Sequence, residues 1–250
     1  TTIAGGQFNK TIGASFGHTF IGGGTKNTSS AACGFIGGGL FNSLSGYNGS
    51  AIVGGKTNSI SNPYGTSNFI GGGSNNTVSS YYDGVITGGS LNSVSGYQGG
   101  FVGGGVCNCN NGGFSSIVGG VGNTVSAYYS SIVGGSKNVI TIQCSFIGGG
   151  SKNRSAGLSS VVVGGCFNTG SGTRVFIGGG ICNQTIQTQA VVVGGCSNNN
   201  GSLNGFIGSG QSNIMGFCAG FSSIVGGCFN IMASAACYAF IGGGCGNAIC

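Results

Sequence analysis

The pattern apolar, any, Gly, Gly, any, any, Asn recurs sixteen times along this chain, with one Ser for Gly at Ser209. Its Asn falls at Asn9, Asn27, Asn42, Asn58, Asn76, Asn92, Asn108, Asn123, Asn138, Asn153, Asn168, Asn183, Asn198, Asn213, Asn230 and Asn247. Successive gaps run from 15 to 18 residues, and every gap from Asn108 to Asn213 is 15. A fixed short period marks a repeat architecture, in which each unit buries its apolar face against its neighbours. Such a chain is built to be long, and a single continuous array over residues 1–250 is expected.

The residue six places before each Asn is Ile or Val in every copy, from Ile3 and Ile21 to Ile224 and Ile241, so that column must enter a core. Two places after the Asn another apolar residue is frequent, as in Leu44, Ile60, Val78, Val94, Val125, Ile140, Met215, Met232 and Ile249. Positions two apart in a strand share a face, which puts the Asn on the inward side too. Helix is disfavoured, because each helical Gly costs about 1 kcal/mol relative to Ala and the chain has 60 Gly.

Two or three short strands per repeat are predicted, with bends at the Gly pair and at the Ser/Gly/Tyr stretch. Fifteen extended residues give a circuit of roughly 50 Å, which closes as a narrow coil stacked by parallel pairing. The expected fold is an all-β, narrow parallel β-solenoid (a β-roll) of about 16 turns with about 15 residues per turn. Layers about 4.8 Å apart would make a rod on the order of 75 Å.

Two roles suit the Asn column. Amides one layer apart can donate NH2 to the carbonyl of the next turn and form a ladder, or Asn can serve as a left-handed corner residue. Gly stands three places before the Asn in all sixteen copies, which points to positive φ or to close approach of another backbone. A phosphate loop at Gly22-Gly23-Gly24 would need a following helix or a Lys-Ser/Thr pair, and neither follows.

The positions flanking the inward Ile or Val alternate outward. Phe20, Phe35, Phe69, Phe101, Phe146, Phe176, Phe206 and Phe240 stand on one side of it, and each has Gly on the other side. The remaining copies carry Thr, Ala, Val or Ser first and never Gly second; their second residues include Val53, Val118, Val133, Val163, Val193 and Val225. A ring takes the space its neighbour's missing side chain leaves, as expected of a surface packed at interior density. Exposed along its length, this stripe would exceed the few hundred Å² usual for a monomer. The expectation is an oligomer interface: a parallel homotrimer with Phe layers at the axis first, a dimer second.

Ser145-Phe146-Ile147-Gly148-Gly149-Gly150 and Ser131-Ile132-Val133-Gly134-Gly135, at a spacing of about 15, resemble the head repeats of trimeric autotransporter adhesins and similar repeats of phage and viral fibres. The chain departs from that family in its invariant Asn, its Gly pairs and its cysteines. The resemblance implies a trimeric β-roll on a cell or virion surface, acting as an adhesive or spacing element that meets a host-cell or surface receptor.

The twelve cysteines fit two readings, free thiols filling small apolar sites or disulfides formed in an oxidising exterior. Cys228 and Cys245 share one column in adjacent turns and are the best candidate pair. Cys218 and Cys237 come next, whereas Cys166 and Cys196 lie two turns apart. Cys107-Asn108-Cys109 lacks zinc-ligand spacing, and the sole His18 is about six turns away. No cofactor is expected.

With Asp83 the only acidic residue and His18 the only His, no carboxylate pair can form and an enzyme is not expected. The cations Lys10, Lys26, Lys56, Lys137, Lys152, Arg154 and Arg174 are dispersed, which argues against nucleic acid. The longest apolar runs, such as Val161-Val162-Val163, fall far short of the roughly 20 residues of a membrane helix. Sequons at Asn48, Asn75 and Asn200 lie off the Asn column. Tyr47, Tyr81, Tyr82, Tyr97, Tyr128 and Tyr129 in the bends suit either an aromatic recognition stripe or packing on adjacent turns. The chain starts inside a repeat, so a processed start or a piece of a longer fibre is expected. The functional expectation is a rigid extracellular or virion shaft. A filament of subunits stacked head to tail, or an ice- or glycan-binding solenoid, are the alternatives, although no outward column is uniformly Thr.

Overall fold

A computed structural model describes residues 1–12, 17–46, 48–62 and 64–250. It shows an all-β parallel solenoid of about 16 turns and no helix among the described residues. The chain divides into two compact units, Thr1–Tyr128 and Tyr129–Cys250, and each contains eight of the Asn-bearing turns.

Every turn contributes two strands of two residues. In the first unit the leading strands run from Thr2–Ile3 to Ser116–Ile117 and the trailing strands from Lys10–Thr11 to Thr124–Val125. In the second unit the corresponding strands run from Ser131–Ile132 to Phe240–Ile241 and from Val139–Ile140 to Ala248–Ile249. Leading strands pair in parallel with leading strands and trailing with trailing, each skipping one strand in sequence. The register keeps repeat columns together: Ile132 lies opposite Ile147, and Ile231 opposite Ala248. A third line of single parallel bridges runs two places before the Asn, for example Ser136 to Ser151 to Cys166.

One turn shows where the backbone groups go. The N–H groups of Ser131, Val133, Ser136, Val139 and Thr141 donate forward to the carbonyls of Ser145, Ile147, Gly150, Asn153 and Ser155 at 2.9–3.1 Å. At the corners the direction reverses, and Lys152 donates back to the Ser136 carbonyl at 2.8 Å. The reversal comes from a left-handed residue just before the column Asn in all sixteen turns, among them Phe41 (φ 56°), Thr57 (φ 56°) and Lys137 (φ 56°), with Gly at only two, Gly122 and Gly246. Such a conformation costs a non-Gly residue roughly 1–2 kcal/mol, so the stacked turns must over-determine it.

The core is the Ile/Val column and its partner two places beyond the Asn. Ile132, Ile147, Val162 and Ile140 are fully buried. Where that partner is polar, the interior supplies a mate. Asn110 accepts from the Ser115 hydroxyl at 2.6 Å and donates to the Ser115 carbonyl at 2.9 Å. Where it is Gly170, Val175 fills the space, its Cγ2 lying 3.1 Å from where a Cβ would stand.

A candidate oligomerisation seam and its supporting columns

The column Asn is buried from Asn27 to Asn230, and it ties each turn to the next as the ladder expectation has it, mostly through backbone partners. It is not the left-handed residue, since that φ belongs to its predecessor. Asn153 donates through Nδ2 to the carbonyls of Gly149 and Gly165, both at 2.9 Å, while its Oδ1 accepts the backbone N–H of Asn168 at 3.0 Å. Direct amide pairing is added at some steps, among them Asn9 to Asn27, Asn198 to Asn213, Asn213 to Asn230 and Asn230 to Asn247. The corner explains the preference. After the left-handed residue the next N–H also faces the preceding turn, and the Asn oxygen there takes it.

The second corner repeats this device with Asn or the shorter Ser, which sequence reasoning missed. The N–H of Gly84 donates to Asn68 Oδ1 at 2.8 Å, that of Ala239 to Ser222 Oγ at 2.9 Å, and that of Ser145 to Ser130 Oγ at 3.2 Å. The signal was a Ser or Asn eight places before many column Asn residues, blurred by Gly, Ala, Val and Thr in the others.

The paired glycines separate into two kinds. Gly135 has φ +85°, and a Cβ there would overlap the Gly150 carbonyl oxygen and approach Asn138 Nδ2 to 2.7 Å. Its neighbour Gly134 has nothing within 4 Å of such a Cβ, which is why Ser209 is accepted at the equivalent place.

These columns hold the outward seam in position. In the second unit the leading strands present Phe146, Val161, Phe176, Val191, Phe206, Ser223 and Phe240 in register. Each ring lies over its own turn's Gly: Phe146 Cε1 is 3.4 Å from where a Cβ on Gly148 would stand, and Phe176 has the same relation to Gly178. The exchange of ring for side chain is therefore real, and a second cause joins it. The same Cβ on Gly148 would overlap the Val163 carbonyl oxygen, so the backbone of the following turn also requires Gly.

About half of Val118, Val133, Val163, Val193 and Val225 is exposed (47–53%), and Phe176 and Phe206 are 37% exposed. The first unit carries the same face with Phe20, Phe35, Phe69 and Phe101, where Phe20 and Phe35 stack at 5.6 Å. Each unit therefore offers an ordered apolar stripe to solvent, rings resting on glycines and valines standing between them.

The remaining candidates fall elsewhere. All twelve cysteines are free thiols, so the disulfide suggested for Cys228 and Cys245 is not formed, although the two are paired in register. Hydrogen bonding toward the neighbouring Cys245 thiol, and then desolvation, raise the Cys228 pKa above the usual thiol value. Cys237 Sγ points to the Cys218 carbonyl at 2.9 Å. Among the described residues no three His, Cys, Asp or Glu side chains come together as a metal site, and no helix is long and apolar enough to cross a membrane.

Tyr47 lies outside the described residues. Tyr81, Tyr82 and Tyr97 pack on one another with ring centroids 4.7–5.9 Å apart, and their surroundings raise the Tyr82 pKa, first by desolvation and then through the neighbouring hydroxyls. The Tyr128 ring covers Gly113 of the preceding turn, and Tyr129 is left-handed and exposed. Of the sequons, Asn48 and Asn75 are exposed. Asn200 is buried, donating to the carbonyls of Val191 and Gly205 at 2.9 and 2.8 Å, so the folded chain cannot offer it to a glycan. Lys26 and Lys152 sit over the rings of Phe41 and Phe167 at 5.0 and 4.6 Å. A cavity of about 340 Å³ in the second unit is lined by Gln187, Leu203, Phe217, Cys218, Gly220, Phe221, Cys237 and Tyr238. No known protein family and no curated protein matches this chain.

Proposed function

We propose that this chain is a structural protein, a rigid shaft in which identical copies meet as a parallel homotrimer along the Phe/Val seam and project as an extracellular or virion-surface fibre. The observation that carries this is the seam: apolar side chains at the surface along both units, half-buried or exposed, matched ring for glycine, on strands whose register holds them outward. A stripe of this extent is larger than soluble monomers expose. Identical parallel edges meeting along one stripe suit a closed cyclic assembly. The resemblance of the Ser-Phe-Ile-Gly-Gly-Gly motifs to fibre and adhesin repeats supports the same reading. Receptor contact, where the fibre makes any, belongs to the bends, where Tyr81, Tyr82 and Tyr97 form an aromatic group with Tyr97 exposed.

The test is the mass of the assembly in solution after two substitutions. Phe146→Asp places a charge in the seam and should dissociate the oligomer, whereas Tyr128→Ser in a bend should leave it intact. Equal effects of the two, or a wild-type chain sedimenting as a monomer, would contradict the seam.

A further inference from the structure

Cys228 and Cys245 stand opposite each other on the outward bridge line. Two backbone hydrogen bonds fix that alignment, Cys228 N–H to the Gly244 carbonyl and Gly246 N–H to the Cys228 carbonyl, both at 2.9 Å. Parallel neighbours held this way lie about 4.8 Å apart, inside the Cα range of disulfides. One thiol is half-buried and the other exposed, so a small reagent can reach the pair. The remaining cysteines lack this arrangement. On the same line, Cys166 and Cys196 are separated by the layer of Ile181, which puts them near 9.6 Å, and Cys237 addresses the Cys218 carbonyl rather than its sulfur.

We propose that Cys228 and Cys245 are a built thiol pair, a site of reversible oxidation by low-molecular-weight disulfides that clips two consecutive turns of the solenoid together. The thiolate of one cysteine attacks a sulfur of the small disulfide RSSR, forming a mixed protein disulfide and expelling one RS⁻. The second thiolate then attacks the protein sulfur, forming the Cys228–Cys245 bond and expelling the other RS⁻. Two protein thiols are oxidised and one RSSR is reduced to two RSH, the released thiolates taking up the two protons. Register partners on parallel strands project to the same side of the ladder, which puts the two sulfurs side by side. The pair lies apart from the Phe/Val seam, and the proposal stands independently of the assembly.

The experiment uses the whole chain, reduced, freed of reductant and equilibrated with mixtures of reduced and oxidised glutathione. Remaining thiols are alkylated, and the digest is read by mass spectrometry. The expected result is a cross-linked peptide pair joining Cys228 to Cys245, two hydrogens lighter than the sum, appearing at a more reducing glutathione ratio than any other link, while Cys166 and Cys196 stay alkylated. Cys228→Ser should convert the cross-link into a glutathione adduct on Cys245, with the circular dichroism spectrum of the wild type. Separate glutathione adducts on both cysteines of the wild-type chain, or links scattered among other pairs, would overturn the proposal.

Discussion

The side-chain oxygen of Asn153 accepts the backbone N–H of Asn168, the next Asn of its column, at 3.0 Å. The same side chain donates to one carbonyl in its own turn and one in the next, Gly149 and Gly165. One amide therefore satisfies three buried backbone groups at a corner where a left-handed residue has turned the chain's N–H groups backward. Buried backbone polar groups must be paired, and no other side chain of that length offers one acceptor and two donors in a fixed plane.

Replacing that amide should be costly. Asn153→Leu leaves the Asn168 N–H and the Gly149 carbonyl without their partner, while the Gly165 carbonyl keeps the Ser151 N–H; at about 1–3 kcal/mol for each orphaned group, a loss of about 4 kcal/mol is expected. Hydrogen exchange at the Asn168 amide is the local readout, and thermal unfolding followed by circular dichroism gives the loss for the unit.

The two adjacent glycines of a turn should respond oppositely to one methyl group. Gly135→Ala meets the Gly150 carbonyl at a positive φ and should cost about 3 kcal/mol, from left-handed strain and overpacking together. Gly134→Ala meets nothing and should stay within about 0.5 kcal/mol of the parent. Comparing the two melting curves checks both expectations.

Thr57 is a β-branched residue at φ 56°, a conformation Gly adopts without strain. Thr57→Gly should therefore stabilise the first unit, by about 0.5–1 kcal/mol after the extra freedom Gly gives the unfolded chain. A lowered melting temperature would contradict the strain.

Reactivity of Cys228 should follow the contact that perturbs it. Its pKa is raised chiefly by the hydrogen bond with the Cys245 thiol, so it stays protonated to higher pH and alkylates slowly near neutrality, because the thiolate is the nucleophile. The rate should rise with pH, with a midpoint above that of a free thiol. Cys245→Ala removes the largest cause and should move the midpoint down. Rates of iodoacetamide modification against pH, read at Cys228 by peptide mass, measure both.

How much of this was legible in the residues follows from what each column is asked to do. The inward Ile/Val column and its register were readable because a buried position admits few side chains and every turn repeats the choice. The Phe/Gly exchange was readable for a related reason, since a ring and a missing Cβ trade volume. The left-handed corner was not readable. Its side chains, Phe41, Thr57, Lys137 and Cys182 among them, face outward and vary freely, while φ is set by the stacked backbone rather than by their identity. The partners of the column Asn were hidden likewise, because they are backbone atoms that no residue type announces. Asn200 looked like an accessible sequon, but it occupies the inward place two after Asn198, where the core accepts a polar side chain only with its bonds satisfied.

Electron cryo-microscopy of the assembled protein tests the central claim most directly, because it shows both the cross-section and the layer spacing. The seam predicts three lobes meeting at Phe layers, with strands repeating every 4.8 Å or so along each lobe. A single-lobed solenoid with the Phe face open to solvent would contradict it.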